Sequence, residues 1–228
     1  LAATDQATDT PTNNFCTINP LYITNSNQSL AEGNLQHAHN GTGYWIGAIS
    51  TIGTTNGKWY AEFKLTDSSN CIGGVAGDVS SMLIRNTAGS GYIGLRSDEW
   101  SMWASGNIQS NGTTISSYVS SFSDDDIGMI AIDMGTGSNG AIYFGKDGTW
   151  GGSSNPSNGT SPAYSSITFP STMFFGSSLE GGTVQWNFGT PVHSISSGNA
   201  DANGYGNFEF AVPSGYYALC TKNLAEFG

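Results

Sequence analysis

Positive charge is the scarcest commodity in this chain. Six Lys and Arg face 17 Asp and Glu, for a net charge of −11. A surface so poor in cations has no means of gripping a phosphate backbone, which excludes nucleic acid as a partner, and anionic membrane surfaces are disfavoured for the same reason. No run of residues approaches the ~20 apolar positions of a membrane span. Cysteine is nearly absent too: Cys16, Cys71 and Cys220 are the only three. Without a C-x-x-C pair there is no structural zinc site. Cys71 sits in an apolar run and reads as buried and reduced. Cys16 and Cys220 lie near opposite ends of the chain, and because domain termini often meet, a bridge between them stays open. Helical periodicity is missing as well, as are a G-x-S-x-G nucleophile elbow and the paired-carboxylate strand signature of glucanases. The residues 140–146 match phosphate-loop spacing only until Asp147 stands where Ser or Thr is needed, and their middle is an apolar strand.

What the chain has in quantity is glycine (32 of 228 residues) and aromatics: Trp 6, Tyr 10 and Phe 11. Glycine together with Asn, Ser and Thr suits short strands joined by tight turns, and the aromatics supply a core that a disordered chain would lack. The clearest strand is 57–66. Trp59, Ala61, Phe63 and Leu65 alternate with Tyr60, Glu62 and Lys64, a strict period of two with one face in a core. On this reading Glu62 is a surface charge beside Lys64. Further apolar runs fall at 44–49, 71–76, 91–95, 127–134, 141–144, 173–175 and 183–188. The turn-rich residues 135–140 between two of them read as a hairpin. Glycines interrupt the 71–76 run, as happens where another group approaches the backbone closely. The expected fold is all-β, an antiparallel β-sandwich, with two longer loops at 98–123 and 148–166. Residues 1–20 read as an extended lead-in arm, 21–220 as the sandwich and 221–228 as an exit linker.

The residues also resemble a family. The run from Gly57 to Phe63 is similar to the early "GKWYFE" strand of SPRY domains. Asp124 to Asp133 resembles their "GDVIGVALDLD" strand, Ala141 to Gly148 their "LTFYKNG" strand, and Met173 to Gly189 their "YPAVSLYSGSVTANFGQ" segment, all in the family's order. At the ends, Thr10 to Leu21 and Pro213 to Leu224 resemble the lead-in and exit of SPRY-like segments in tailed phages. The resemblance implies an SPRY (concanavalin-like jelly-roll) module of a virion protein, non-enzymatic, on a tail fibre or spike with a host-recognition role. It implies other virion proteins and a host surface glycan or protein as partners, and no cofactor. A homotrimer fits, since phage fibres are usually trimers. A capsid or tail decoration protein held by protein contacts is the alternative, and a glycan hydrolase the second alternative.

Candidate binding residues come from the two long loops, where partner identity would be written: Asp98, Trp100, Trp103, Asn107, Tyr118 and Trp150. Aromatics beside amides and carboxylates are how saccharide sites offer a stacking face with polar orienters. The competing reading puts Trp100 and Trp103 on a strand covering the sandwich. Trp59 and Trp186 occupy inward strand positions and belong to the core. His37 and His39, two apart, share one strand face; without a third ligand they read as a solvated pair rather than a metal site. His193, after Pro191 in a loop, reads as structural. Asp124, Asp125 and Asp126 read as a charged turn before a buried strand, with calcium as the alternative. The four N-x-S/T sequons, at Asn27, Asn40, Asn111 and Asn158, arise by chance in so Asn- and Ser-rich a chain.

Overall fold

The computed structural model describes residues 10–68, 70–77, 80, 91–170 and 172–228. Two antiparallel sheets face each other. The first contains β1 (Gln28–Ala31), β2 (Gln36–His39), β14 (Thr183–Asn187), β4 (Lys58–Asp67), β9 (Ile127–Asp133), β10 (Gly140–Lys146) and β11 (Thr149–Trp150), in that spatial order. β12 (Tyr164–Ile167) adds to β10, and β15 (Tyr217–Ala218) runs parallel to the start of β4. The second sheet has the order β3 (Ile46–Thr54), β13 (Met173–Leu179), β5 (Cys71–Ala76), β6 (Glu99–Trp103), β7 (Ile108–Ser110) and β8 (Thr113–Ile115). This is the all-β sandwich the alternation called for.

The inward set of β4, namely Trp59, Ala61, Phe63 and Leu65, lies in the core between the sheets with Trp186, Phe188, Val75 and Phe175. The Phe63 ring occupies room left by two glycines. A Cβ on Gly73 would stand 2.5 Å from it, and one on Gly128 only 2.2 Å. Gly73 is one of the interruptions noted in the 71–76 run, so the interruption marks a close approach. Replacing either glycine by alanine forces the ring out of its rotamer or spreads the sheets, at about 1–3 kcal/mol. The expected result is a lower urea midpoint for Gly73→Ala and Gly128→Ala, with Phe63→Leu partly restoring stability in the double variants.

The other set of β4 does not face water. Tyr60 joins a second apolar cluster on the outer face of the first sheet with Met129, Ala131, Tyr143, Phe208 and Tyr216. The chain that follows β14 folds back over that face, so β9 and β10 are apolar on both sides, as strands covered on two faces are. Glu62 is accordingly not a surface charge: it is fully buried.

The ends of the chain pack on the body. Phe15, Cys16 and Ile18 of the lead-in are buried. Phe15 bridges Cys220, Ile18 bridges Ser50, and Asn14 and Thr221 exchange two hydrogen bonds. Residues 221–228, expected to leave as a linker, form the short helix α1 (Thr221–Phe227), with Phe227 stacked on Tyr217 at 3.8 Å. Seven residues are too few for a helical period to show in the sequence. All three cysteines are free and buried. Cys16 lies in the inter-sheet core and Cys220 in the outer cluster, so the bridge left open between them is not formed. Burial lifts the Cys16 thiol to about 11 and the Cys71 thiol to about 12.

Candidate functional site

Strand register decides which loops meet. Ile46 pairs with Leu179, Leu179 with Cys71, and Ile72 with Trp103. Hence the start of β3, the end of β13, the start of β5 and the end of β6 lie at one end of the sandwich. The three-residue link from Leu179 to Thr183 brings the first sheet to the same end, where His39 closes β2. That end therefore gathers the loops 40–45, 104–107, 116–126 and 180–182.

Three of the six candidate residues, Trp103, Asn107 and Tyr118, belong there, and Trp150 adjoins them. Trp103 is half-buried at the end of β6, and Asn107 follows it in the hairpin, its backbone carbonyl accepting from the Trp103 N–H at 2.9 Å. Asn107 Oδ1 accepts from the Ser117 N–H at 2.9 Å, which ties it to the loop carrying Tyr118. The Tyr118 ring lies against the backbone of Gly151 and Gly152, next to Trp150. Trp150 turns towards the outer face of the first sheet and meets Tyr60 edge-on at 6.3 Å. The remaining two are placed elsewhere. Trp100 is in the core, edge-on to Phe169 at 5.3 Å, and Asp98 stands at the opposite end of β6, where its carbonyl accepts from Gly77. Trp100 and Trp103 are three apart on one strand and so lie on opposite faces.

Two aromatics that the loop argument passed over complete the surface. Trp45, just ahead of β3, and Tyr92 pack with Trp103 as a trio: Trp45 to Trp103 at 5.2 Å, Tyr92 to Trp103 at 4.7 Å and Trp45 to Tyr92 at 5.3 Å. Beside Trp45, Tyr44 crosses over to the first sheet and meets the His39 ring at 4.7 Å. The Tyr44 hydroxyl accepts from Asn27 Nδ2 at 2.8 Å and donates to Asn25 Oδ1 at 3.3 Å. The signal in the sequence was the Tyr-Trp pair after the turn residues Asn40 to Gly43, at the mouth of an apolar run.

The histidines are not solvated. His37 and His39 do share a face, but it is the inner one, and both are buried. His37 accepts from Gln28 Nε2 at 3.0 Å, and Gln28 Nε2 also reaches the Gly47 carbonyl at 3.2 Å. That leaves the proton on Nδ1, which donates to Ser177 Oγ at 2.9 Å; the same oxygen accepts from Trp186 Nε1 at 3.2 Å. This chain of polar groups crosses the core and joins the two sheets. Burial, with His39 nearby, pushes His37 down to about 3. His193 is half-buried and pushed down to about 4 by burial and then by the Lys64 charge.

The acidic groups also have structural employment. Glu62 accepts four bonds: from Tyr60 Oη and the Phe210 N–H at 2.8 Å each, the Glu209 N–H at 3.0 Å and Asn187 Nδ2 at 3.2 Å. Glu99 takes the N–H groups of Gly94, Leu95 and Arg96, and Asp201 those of Asn203, Tyr205 and Ala218. Asp124, Asp125 and Asp126 turn to three different partners: the Ser68 N–H, Lys64 Nζ and Lys146 Nζ. Among the described residues no three His, Cys, Asp or Glu side chains group to hold a metal ion. In the triple-aspartate turn each carboxylate is engaged with a different local partner. Millimolar calcium or EDTA is expected to leave the melting temperature unchanged within error, as checked by differential scanning fluorimetry; a rise with calcium would restore the alternative.

No protein-family model matches the chain, and neither does any curated protein sequence. Solved structures do. The SPRY domain of human HERC1 is 19% identical and superposes with a TM-score of 0.54 over 74% of this chain and 96% of that one. The TRIM65 PSpry domain is 16% identical, with a TM-score of 0.52 over 76% of this chain and 92% of that one. Stonustoxin is 15% identical, with a TM-score of 0.50 over 75% of this chain and 27% of its own. At these identities the likeness concerns the fold, and it makes this sandwich SPRY-like.

Proposed function

We propose that the chain is a non-enzymatic recognition module of a tailed-phage virion, carried on a tail fibre or spike, that meets the host surface through the loop end bearing Trp45, Tyr92 and Trp103. The observation that carries this reading is the division of labour among side chains. The buried carboxylates and His37 are spent on holding strands and loops, whereas half-buried aromatics and amides collect at one end. The motif order and the phage-like lead-in and exit support the virion setting, and a module with this role has other virion proteins as its neighbours. Fold likeness alone does not assign a function. The test is competition: purified module added in excess to host cells is expected to slow adsorption of the phage that encodes it. Unchanged adsorption, with antibody against the module decorating the capsid, favours the decoration reading instead.

A further inference from the structure

The loop end holds two ring nitrogens that are buried and have no hydrogen-bond partner, Trp103 Nε1 and His39 Nε2. His39 Nδ1 stands 3.2 Å from both the Leu179 carbonyl, to which it can donate, and the Gly181 N–H, from which it can accept, so Nε2 is an acceptor in one tautomer and a donor in the other. Trp103 Nε1 is an N–H donor, and His39 Nε2 can serve as either partner. A buried polar atom without a partner is costly, so each calls for an explanation. Each of the two rings meets an aromatic of the 40–45 segment, Trp103 meeting Trp45 and His39 meeting Tyr44. Gly41 closes the arrangement: a Cβ there would stand 2.6 Å from both His39 Nε2 and the Tyr44 hydroxyl.

We infer that this end is a saccharide site whose ligand is a neutral, hydroxyl-rich sugar, a conclusion that rests on the recognition reading above. Three features point to that chemistry. The trio Trp45, Tyr92 and Trp103 offers apolar ring surface of the kind that the C–H face of a pyranose covers. The polar groups at this end are amides and hydroxyls (Asn25, Asn27, Tyr44, Asn107) together with the two unpartnered ring nitrogens, which suit sugar hydroxyls because a hydroxyl both donates and accepts. Charge then selects among sugars. No charged residue occurs between Trp100 and Ser123, and the nearby Lys64 and Lys146 are already paired with Asp125 and Asp126. On a chain of net charge −11, an anionic saccharide would find repulsion and, among the described residues at this end, no unpaired Lys or Arg.

The experiment is a titration of the intact module, followed by the ¹⁵N–¹H signals of its tryptophan indoles. The probes are neutral sugars (glucose, galactose, mannose, N-acetylglucosamine and their short oligomers) and, for contrast, polysialic acid and hyaluronate. At least one neutral oligomer is expected to shift the Trp45 and Trp103 signals with a Kd on the order of 0.1–10 mM. Trp103→Phe and Trp45→Phe, which keep the packing, should weaken that binding about tenfold, the effect of losing one good contact. Trp150→Phe, on the outer face of the first sheet, should not. The affinity should hold when salt is raised, since no ion pair contributes. Three results overturn the inference: no neutral probe shifting either indole at about 10 mM, tighter binding of the anionic polymers, or wild-type affinity in both Phe variants. If the sugars fail but the module still slows adsorption, only the ligand class falls. If adsorption is also unaffected, the recognition reading falls with it.

Discussion

Glu62→Ala is expected to lower the unfolding free energy by about 3–5 kcal/mol, because a buried acceptor is removed while its donors stay. Four donors lose their partner at once: the Tyr60 hydroxyl, Asn187 Nδ2 and the backbone N–H groups of Glu209 and Phe210. A typical domain has only about 5–15 kcal/mol of stability in all. The loss should be regional before it is global. Glu209 and Phe210 belong to the segment that covers the outer face of the first sheet, so its grip on β4 is what the carboxylate supplies. Limited proteolysis of Glu62→Ala should cut first within residues 196–216, and the urea midpoint should fall. Glu62→Gln is the informative companion. Its amide oxygen can serve one pair of donors, but its NH₂ then faces the other pair. Tyr60 can rotate its hydroxyl to accept, whereas a backbone N–H cannot, so a loss of about 1–3 kcal/mol is expected. Equal stability of all three proteins would show that the carboxylate is dispensable.

That residue also shows what the sequence could and could not convey. Alternation in 57–66 correctly separates Trp59, Phe63 and Leu65 from Tyr60, Glu62 and Lys64. It says that a strand has two faces, and nothing about whether the second face is wet. The cover comes from residues 196–216, where Gly, Asn, Ser and Pro break any period and no strand longer than two residues forms. A carboxylate buried by distant irregular chain therefore looks the same as one on a surface. His37 and His39 fail for the same reason. Their shared face is evident from the spacing, but that it is the inner face depends on β13 of the opposite sheet supplying Ser177 and the Leu179 carbonyl. By contrast, the hairpin across 135–140 and the strands β9 and β10 were legible, because apolar runs and turn residues are local signals. Of the candidate binding residues, Trp100 and Trp103 carried their own answer in their odd spacing, one inward and one outward. Trp45 and Tyr92 show in the sequence only as aromatics near the starts of apolar runs, and their place beside Trp103 is fixed by pairing among strands far apart in the chain.

The buried histidines make the fold acid-sensitive, with a definite sign. His37 ordinarily titrates near 6.5 and is held down to about 3 in the fold. Between those values the unfolded chain takes up a proton that the folded chain refuses, so stability falls as pH falls. The physical reason is burial first and the neighbouring His39 second, and the Gln28 amide leaves no acceptor for the added proton. The amide Nε2 donates to His37 Nε2, so a proton there would set donor against donor in a fully buried site. Each pH unit below the ordinary value costs about 1.4 kcal/mol per histidine, so the first two units remove about 3 kcal/mol through His37 alone. His193, held down to about 4, adds to the same limb. Glu62 acts oppositely. Burial raises its carboxyl above the ordinary 4.5, so the proton-linked part of its contribution is greatest in acid and is lost as pH rises through that raised value, while the four bonds it accepts remain. Unfolding followed in urea at pH 7.5, 6.5, 5.5 and 4.5 should thus give a free energy that is level at first and then declines. His37→Asn keeps a polar side chain and cannot take up the proton. It should be less stable at neutral pH, because the link to Ser177 and Trp186 is weakened, yet lose stability less steeply below pH 6.5. The slope is the diagnostic quantity: a variant that declines as steeply as the parent would place the acid sensitivity outside the inter-sheet histidine.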